Sequence, residues 1–152
     1  MSDMLAAGTI VALSATAPAT FDAAGYNAVG VTTVGEVDDI QGDIGRLYNL
    51  VQRYALARAG APSKKKGNFN DGNIQLPMAL DYSDTGQNLV RTAVASANPY
   101  TFKITLPNAV IIYGQALVLG APVNIGNTES FIMANATLEI ITSATGVGIV
   151  VV

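Results

Sequence analysis

Apolar and polar positions alternate through most of the chain. Between Asn73 and Asp81, Ile74, Leu76, Met78 and Leu80 hold one phase; Asn73, Gln75, Pro77, Ala79 and Asp81 hold the other. A period of two predicts a strand with one buried face. Pro77 lies on the outer phase and has no N–H, which predicts an exposed edge or a bulge there. Phe102, Ile104 and Leu106 alternate with Thr101, Lys103 and Thr105, and Pro107-Asn108 marks a turn. From Ala109 to Leu119 both phases are apolar. Such a strand is buried on both faces, and in a small sandwich the second face, with Tyr113, calls for a partner chain. Ile132, Ala134, Ala136, Leu138 and Ile140 form another inner phase, which turns Phe131 and Met133 outward. Val147 to Val152 is a β-branched run suited to a strand.

One helix is expected over about 84–97. Leu89, Val90, Ala93, Val94 and Ala97 make a helical stripe. Asp84 and Gln87 fit a capping box, and Asn98-Pro99 is a stop signal. Ile44 to Leu56 fits a helix or a strand, and periodicity does not decide. Ala17 to Gly30 has no strong pattern. Nor has Ala57 to Asn73, which holds Gly60, Pro62, Gly67, Gly72 and several Lys and Asn. A long polar loop over about 57–73 is expected. With little apolar to anchor it beyond Leu56 and Phe69, it should order only on assembly, because fixing each residue costs about 1–2 kcal/mol.

Composition sharpens this picture. Half the 152 residues are hydrophobic and only 12% are charged, against about 25% in an average soluble domain. That balance excludes a disordered chain and leaves too few charges to cover a free surface, which points to self-association. There is no Cys, His or Trp. Disulfides, thiolate chemistry, a Ser-His-Asp triad and the commonest transition-metal ligand are therefore excluded. The net charge of −3 argues against a dedicated nucleic-acid binder. No run approaches the ~18 apolar residues of a membrane helix. Met4 to Leu13 before Ala15-Thr16-Ala17 imitates a signal peptide, but the preceding charge is Asp3 rather than a basic residue. A mature chain made in the cytosol is the expectation.

Two charge clusters remain. Lys64, Lys65 and Lys66, with Arg58, form the only basic one. It is a solvated loop tip, a contact to an acidic surface of another subunit or, least favoured because Phe69 alone makes no stacking platform, a nucleic-acid contact. Glu36, Asp38, Asp39 and Asp43 form its acidic counterpart and the favoured partner. They lack EF-hand spacing. No catalytic residue, metal or cofactor is expected.

The order of elements resembles the tail-tube (major tail) proteins of long-tailed bacteriophages. The likeness runs through FDAAGYNAVGVTTVGEVDDI (Phe21 to Ile40, with a strand at Val31 to Val37), YNLVQRYAL (Tyr48 to Leu56) and DGNIQLPMALDYSDTGQNLVRTAVAS (Asp71 to Ser96). It continues through YTFKITLPN (Tyr100 to Asn108) and ATLEIITSATGVGIVVV (Ala136 to Val152). Its most specific piece is Asp71-Gly72, the alternating strand, Asp81-x-x-Asp84-x-Gly86-Gln87 and the short helix. The resemblance implies a mainly β fold, a sandwich or partly closed barrel flanked by one helix, in a single domain. It makes Tyr48 to Leu56 a strand. It implies hexameric rings stacked into a hollow tail tube of a virion, together with other tail proteins. DNA would pass through the lumen without specific binding, and no membrane insertion is implied. Lys64, Lys65, Lys66, Phe69, Tyr113, Phe131 and Met133 are the expected subunit contacts; Glu36, Asp38, Asp39 and Asp43 would meet the basic run or face the lumen. The rivals are a secretion-system inner-tube subunit, a non-enzymatic β-barrel binding module and a small hydrolase using carboxylates.

Overall fold

A computed structural model describes residues 3–57 and 59–152; Arg58 lies outside the described residues. The elements are β1 (Ile10–Ser14), α1 (Ala23–Asn27), β2 (Thr32–Thr33), β3 (Ile44–Arg53), β4 (Ser63–Ala79), α2 (Thr85–Ala95), β5 (Tyr100–Thr105), β6 (Ile111–Gly120), β7 (Val123–Asn124), β8 (Met133–Ile141) and β9 (Ile149–Val151). The fold is mainly β. Among the described residues nine strands form one antiparallel sheet in the order β2-β1-β5-β6-β8-β4-β3, with β7 added to β8 and β9 to β6.

The sheet curls around the predicted inner phases. Ile74, Leu76 and Met78 from β4 meet Phe102 and Ile104 from β5 and Ala134, Ala136, Leu138 and Ile140 from β8. Each large side chain fully withdrawn from water contributes about 1.5–3 kcal/mol. Helix α2 packs against β1, β2 and β6 and adds Val90 and Ala93 to this core. The sheet is not closed by a ladder. Residues 34–43 span the gap instead: Val34 N–H donates to Val11 O (2.9 Å), and isolated bridges join Val37 to Met78 and Gln41 to Gln75. This segment runs along the outer edge of β4, where Asp38 N–H donates to Pro77 O at 2.9 Å. The edge at Pro77 is thus covered by irregular backbone rather than by a strand that would need its missing N–H.

Asp84 caps α2 by accepting from Gln87 N–H at 2.9 Å, as the sequence predicts. Gln87 does not complete the box. It is 1% exposed; its Oε1 accepts from Asp81 N–H, while Nε2 donates to Gly35 O and Ala79 O. Asp81 accepts from the Ser83 hydroxyl and N–H, which holds its carboxyl below the usual range.

Several expectations are corrected. The polar loop over 57–73 is a strand from Ser63 onward, continuous through Ala79. It pairs with β3 from Ile44↔Gly72 to Arg53↔Ser63, so Ile44 to Arg53 is strand rather than helix. The hairpin carries side chains that face water on both sides, so it shows no period. The strand expected at Val31 to Val37 shrinks to Thr32–Thr33 plus the bridge at Val37. Ile132, expected inside, is 43% exposed, because β8 begins only at Met133. Patternless Ala17 to Gly30 contains α1, whose cap Asp22 accepts from Gly25 N–H at 2.8 Å.

Candidate functional site

A cluster of exposed large hydrophobic side chains lies on the β3–β4 hairpin. Strand β4 pairs with β8 only from Asn73 to Ala79. Its N-terminal half continues past β8 with β3 alone, as an arm roughly 30 Å long at ~3.3 Å per residue. Leu47, Leu50, Val51, Tyr54 and Leu56 are exposed on it. An isolated two-stranded hairpin is marginal in water, and contacts along one face brace this one. Phe69 and Tyr48 are cross-strand partners with ring centroids 5.3 Å apart. The Arg46 guanidinium lies 4.0 Å over Phe69 and the Lys66 ammonium 4.8 Å over Tyr48. Cation–π contacts at exposed sites contribute about 0.5–1 kcal/mol each.

Lys64, Lys65 and Lys66 stand on the outer half of the arm, opposite Gln52, Val51 and Leu50. All three are exposed, and none is in an ion pair; among the described residues that geometry belongs to Arg46 and Asp71 alone. Glu36, Asp38, Asp39 and Asp43 sit on the segment beside β4, with their side chains in solvent. Backbone bonds fix it: Ala79 N–H to Glu36 O and Asn73 N–H to Asp43 O. Asp38 and Asp39 border a groove of about 280 Å³ whose other walls include Ala6, Ala7, Val37 and Ile40. The basic and acidic clusters are therefore both displayed and are not joined within the chain. Among the described residues, no group of three or more acidic side chains is arranged to hold a metal ion.

A second apolar patch forms where the chain passes from β6 to β8. Phe131 is 82% exposed, and Leu119, Val123, Ile125 and Ile132 accompany it. Met133, half-buried, opens β8 between Ala79 and Asn124. Tyr113 is different. The outer face of β6 is covered from within the same chain: Tyr26 of α1 stacks on Tyr113 at 5.3 Å, and the Tyr113 hydroxyl donates to Asn27 at 2.9 Å. Tyr113 is 3% exposed and presents no free surface to a partner. Burial also raises the Tyr26 phenol above its ordinary value.

Two residues important to this geometry carry no sequence signal of their role. Asp71 and Arg46 lie where the arm leaves the body, 25 positions apart in sequence. In the sequence Asp71 opens the most specific piece of the family resemblance but with no role attached, and Arg46 carries no signal.

No protein-family model matches the sequence, and no curated protein matches it. Solved structures do match its fold. A chain in the PVC extracellular contractile injection system, in its extended-state sheath/tube terminator, aligns with TM-score 0.66 at 11% identity over 91% of this chain and 93% of its own. A chain of the anti-feeding prophage tube-terminating cap aligns with TM-score 0.66 at 12% identity, over 100% and 92% respectively. A chain in the tail of the empty gene transfer agent particle, refined with C6 symmetry, aligns with TM-score 0.62 at 11% identity over 85% and 87%. At these identities the likeness is one of fold.

Proposed function

We propose that the chain is a non-enzymatic structural subunit of a phage-type tail, one that self-assembles into hexameric rings stacked as a hollow tube. The observation that carries this reading is the arm: a long hairpin holding Leu47, Leu50, Val51, Tyr54 and Leu56 in solvent. A free monomer gains nothing from that exposure, whereas a second copy covering it recovers about 25 cal/mol per Å² of apolar area. The distant Phe131 patch supplies a different surface, and two unlike patches suit the heterologous contacts of a ring. The shared fold with chains of tail and injection-tube assemblies supports the same reading. In a virion tail the tube would conduct DNA, and a net charge of −3 would repel phosphates rather than hold them.

The purified chain should form open-ended tubes in negative-stain micrographs. A population that stays monomeric at high concentration would sink the proposal. A second reading, a tube-terminating subunit, draws on the full-length match to the chain from the tube-terminating cap; it expects single rings that cap tubes rather than extend them.

The Phe131 patch provides a separate test. Changing Phe131 and Met133 together to Ser should impair assembly. Phe131 gives up almost no intramolecular burial, and half-buried Met133 only part of its own, so thermal denaturation should place the loss of monomer stability near 1 kcal/mol. Normal sedimentation of assembled particles by the double variant would remove these residues from the contact.

A further inference from the structure

Beyond Asn73↔Glu139 the ladder between β4 and β8 ends. The arm continues one way; the chain after β8 turns at 142–148 and returns to β6 as β9. A cleft of about 560 Å³ opens between these branches, lined in part by Ile44, Ile112, Val147 and Ile149, with Arg46 and Asp71 also in its wall. One polar cluster spans it. The Asp71 carboxylate, 3% exposed, accepts from Arg46 Nε at 3.0 Å on one oxygen and from the Thr142 hydroxyl on the other. Arg46 Nη2 donates onward to Gly146 O at 2.6 Å, and its guanidinium faces Phe69. Arg46, Phe69 and Asp71 belong to the arm; Thr142 and Gly146 belong to the body. Among the described residues the only other side-chain hydrogen bond across this junction is Asn70 Nδ2 to Glu139 at 3.5 Å, the outer limit for such a bond.

Two glycines let this cluster form. At Gly148 a Cβ would meet the Asp71 carboxylate at 2.2 Å. Gly72, the residue after Asp71, has φ +107° and comes so near the Asp43 carbonyl that a Cβ would meet its oxygen at 2.0 Å. The backbone is shaped around a carboxylate that water does not reach.

We infer that Asp71 is a positioning residue: with Arg46 and Thr142 it fixes the direction in which the arm leaves the body. Arm and body meet here through directional, charge-assisted hydrogen bonds, and a hairpin without them pivots about the ladder end at Asn73. For assembly the consequence rests on the proposed docking role of the arm. If an untethered arm points correctly one-tenth of the time, each contact weakens about tenfold.

The chain has no Cys, so spin labels can be placed at Lys65→Cys on the arm and Asn98→Cys on the body. Distances are then measured in the full-length monomer below its assembly concentration. Assembly is followed separately in unlabelled protein. Asp71→Asn and Thr142→Val should broaden the distance distribution, and Thr142→Ser, which keeps the hydroxyl, should leave it narrow. Thr142→Val and Arg46→Lys serve if Asp71→Asn does not fold. An unchanged distribution in the folded variants overturns the inference, even if assembly is lost. A broadened arm with undiminished assembly supports the positioning role and counts against docking by the arm.

Discussion

Reversing Lys64, Lys65 and Lys66 to Glu should abolish tube formation at physiological salt while the monomer's melting temperature falls by no more than about 4 °C. All three ammonium groups are exposed and in no ion pair among the described residues, so folding loses only the Lys66 cation–π contact with Tyr48, about 0.5–1 kcal/mol. The acidic surface around Asp38 and Asp39 is fixed by backbone bonds and borders a groove of mixed polar and apolar lining, a fitting seat for a basic arm from a neighbour. One exposed pair contributes only about 0–1 kcal/mol. Three such pairs at one contact reach up to about 3 kcal/mol, roughly a hundredfold in affinity, and reversal adds repulsion to the loss. The same contact would recur at every subunit, so a small change at each becomes a large one in the polymer. Wild-type assembly should also weaken with added salt, since screening sets in beyond about 8–10 Å at 0.1–0.15 M. Asp38→Lys with Asp39→Lys in the triple-reversal background should restore part of it, as read by sedimentation. Salt-independent assembly with no rescue would leave the basic run a solvated part of the arm.

Gln87→Leu should be the most damaging single change to the fold. The side chain is enclosed and makes three hydrogen bonds: from Asp81 N–H at 2.9 Å, to Gly35 O at 3.0 Å and to Ala79 O at 2.8 Å. It ties together the start of α2, the end of β4 and the segment that spans the open sheet. Leucine fills similar space and leaves all three backbone groups without a partner. At about 1–3 kcal/mol for each buried orphan, and with some relaxation, a loss of about 3–5 kcal/mol is expected. For a chain of this size that lowers the melting temperature by roughly 10–15 °C. A fall of under ~3 °C by calorimetry would mean that water replaces the side chain and that the gap is not held by it.

The strands that bury one face were legible because period two is the mark of a half-buried strand. Ile74 to Met78, Phe102 with Ile104, and Ala134 to Ile140 all lie where their phase puts them. The helix was legible through its cap at Asp84 and through Val90 and Ala93 of its stripe, although Val94 is exposed and Ala97 lies past its end. The arm was not. Its strands have no continuous buried face, so Lys64 to Asn70 reads as loop although Lys64 to Lys66 and Phe69-Asn70 pair across the hairpin on either side of an irregularity. The surface reserved for a partner at Tyr113 failed for the opposite reason. Period two shows that a face is apolar, not what covers it, and a five-residue helix does so from within.

The sequence by itself determined that this protein is built mainly of strands with a helix following Asp84, that it lacks the side chains of thiol and histidine chemistry, and that it carries too little charge for its surface. Those properties are local or additive. Only the tertiary structure decided where the apolar surplus goes: some onto an arm, some onto the Phe131 patch, some under α1. It also brought Arg46, Asp71 and Thr142 to one point and spent Gln87 on three backbone groups instead of a cap. The hydrogen bonds that make these meetings join residues from 6 to 71 positions apart. They are set by strand order and by where one ladder ends, and no periodicity along the chain encodes either.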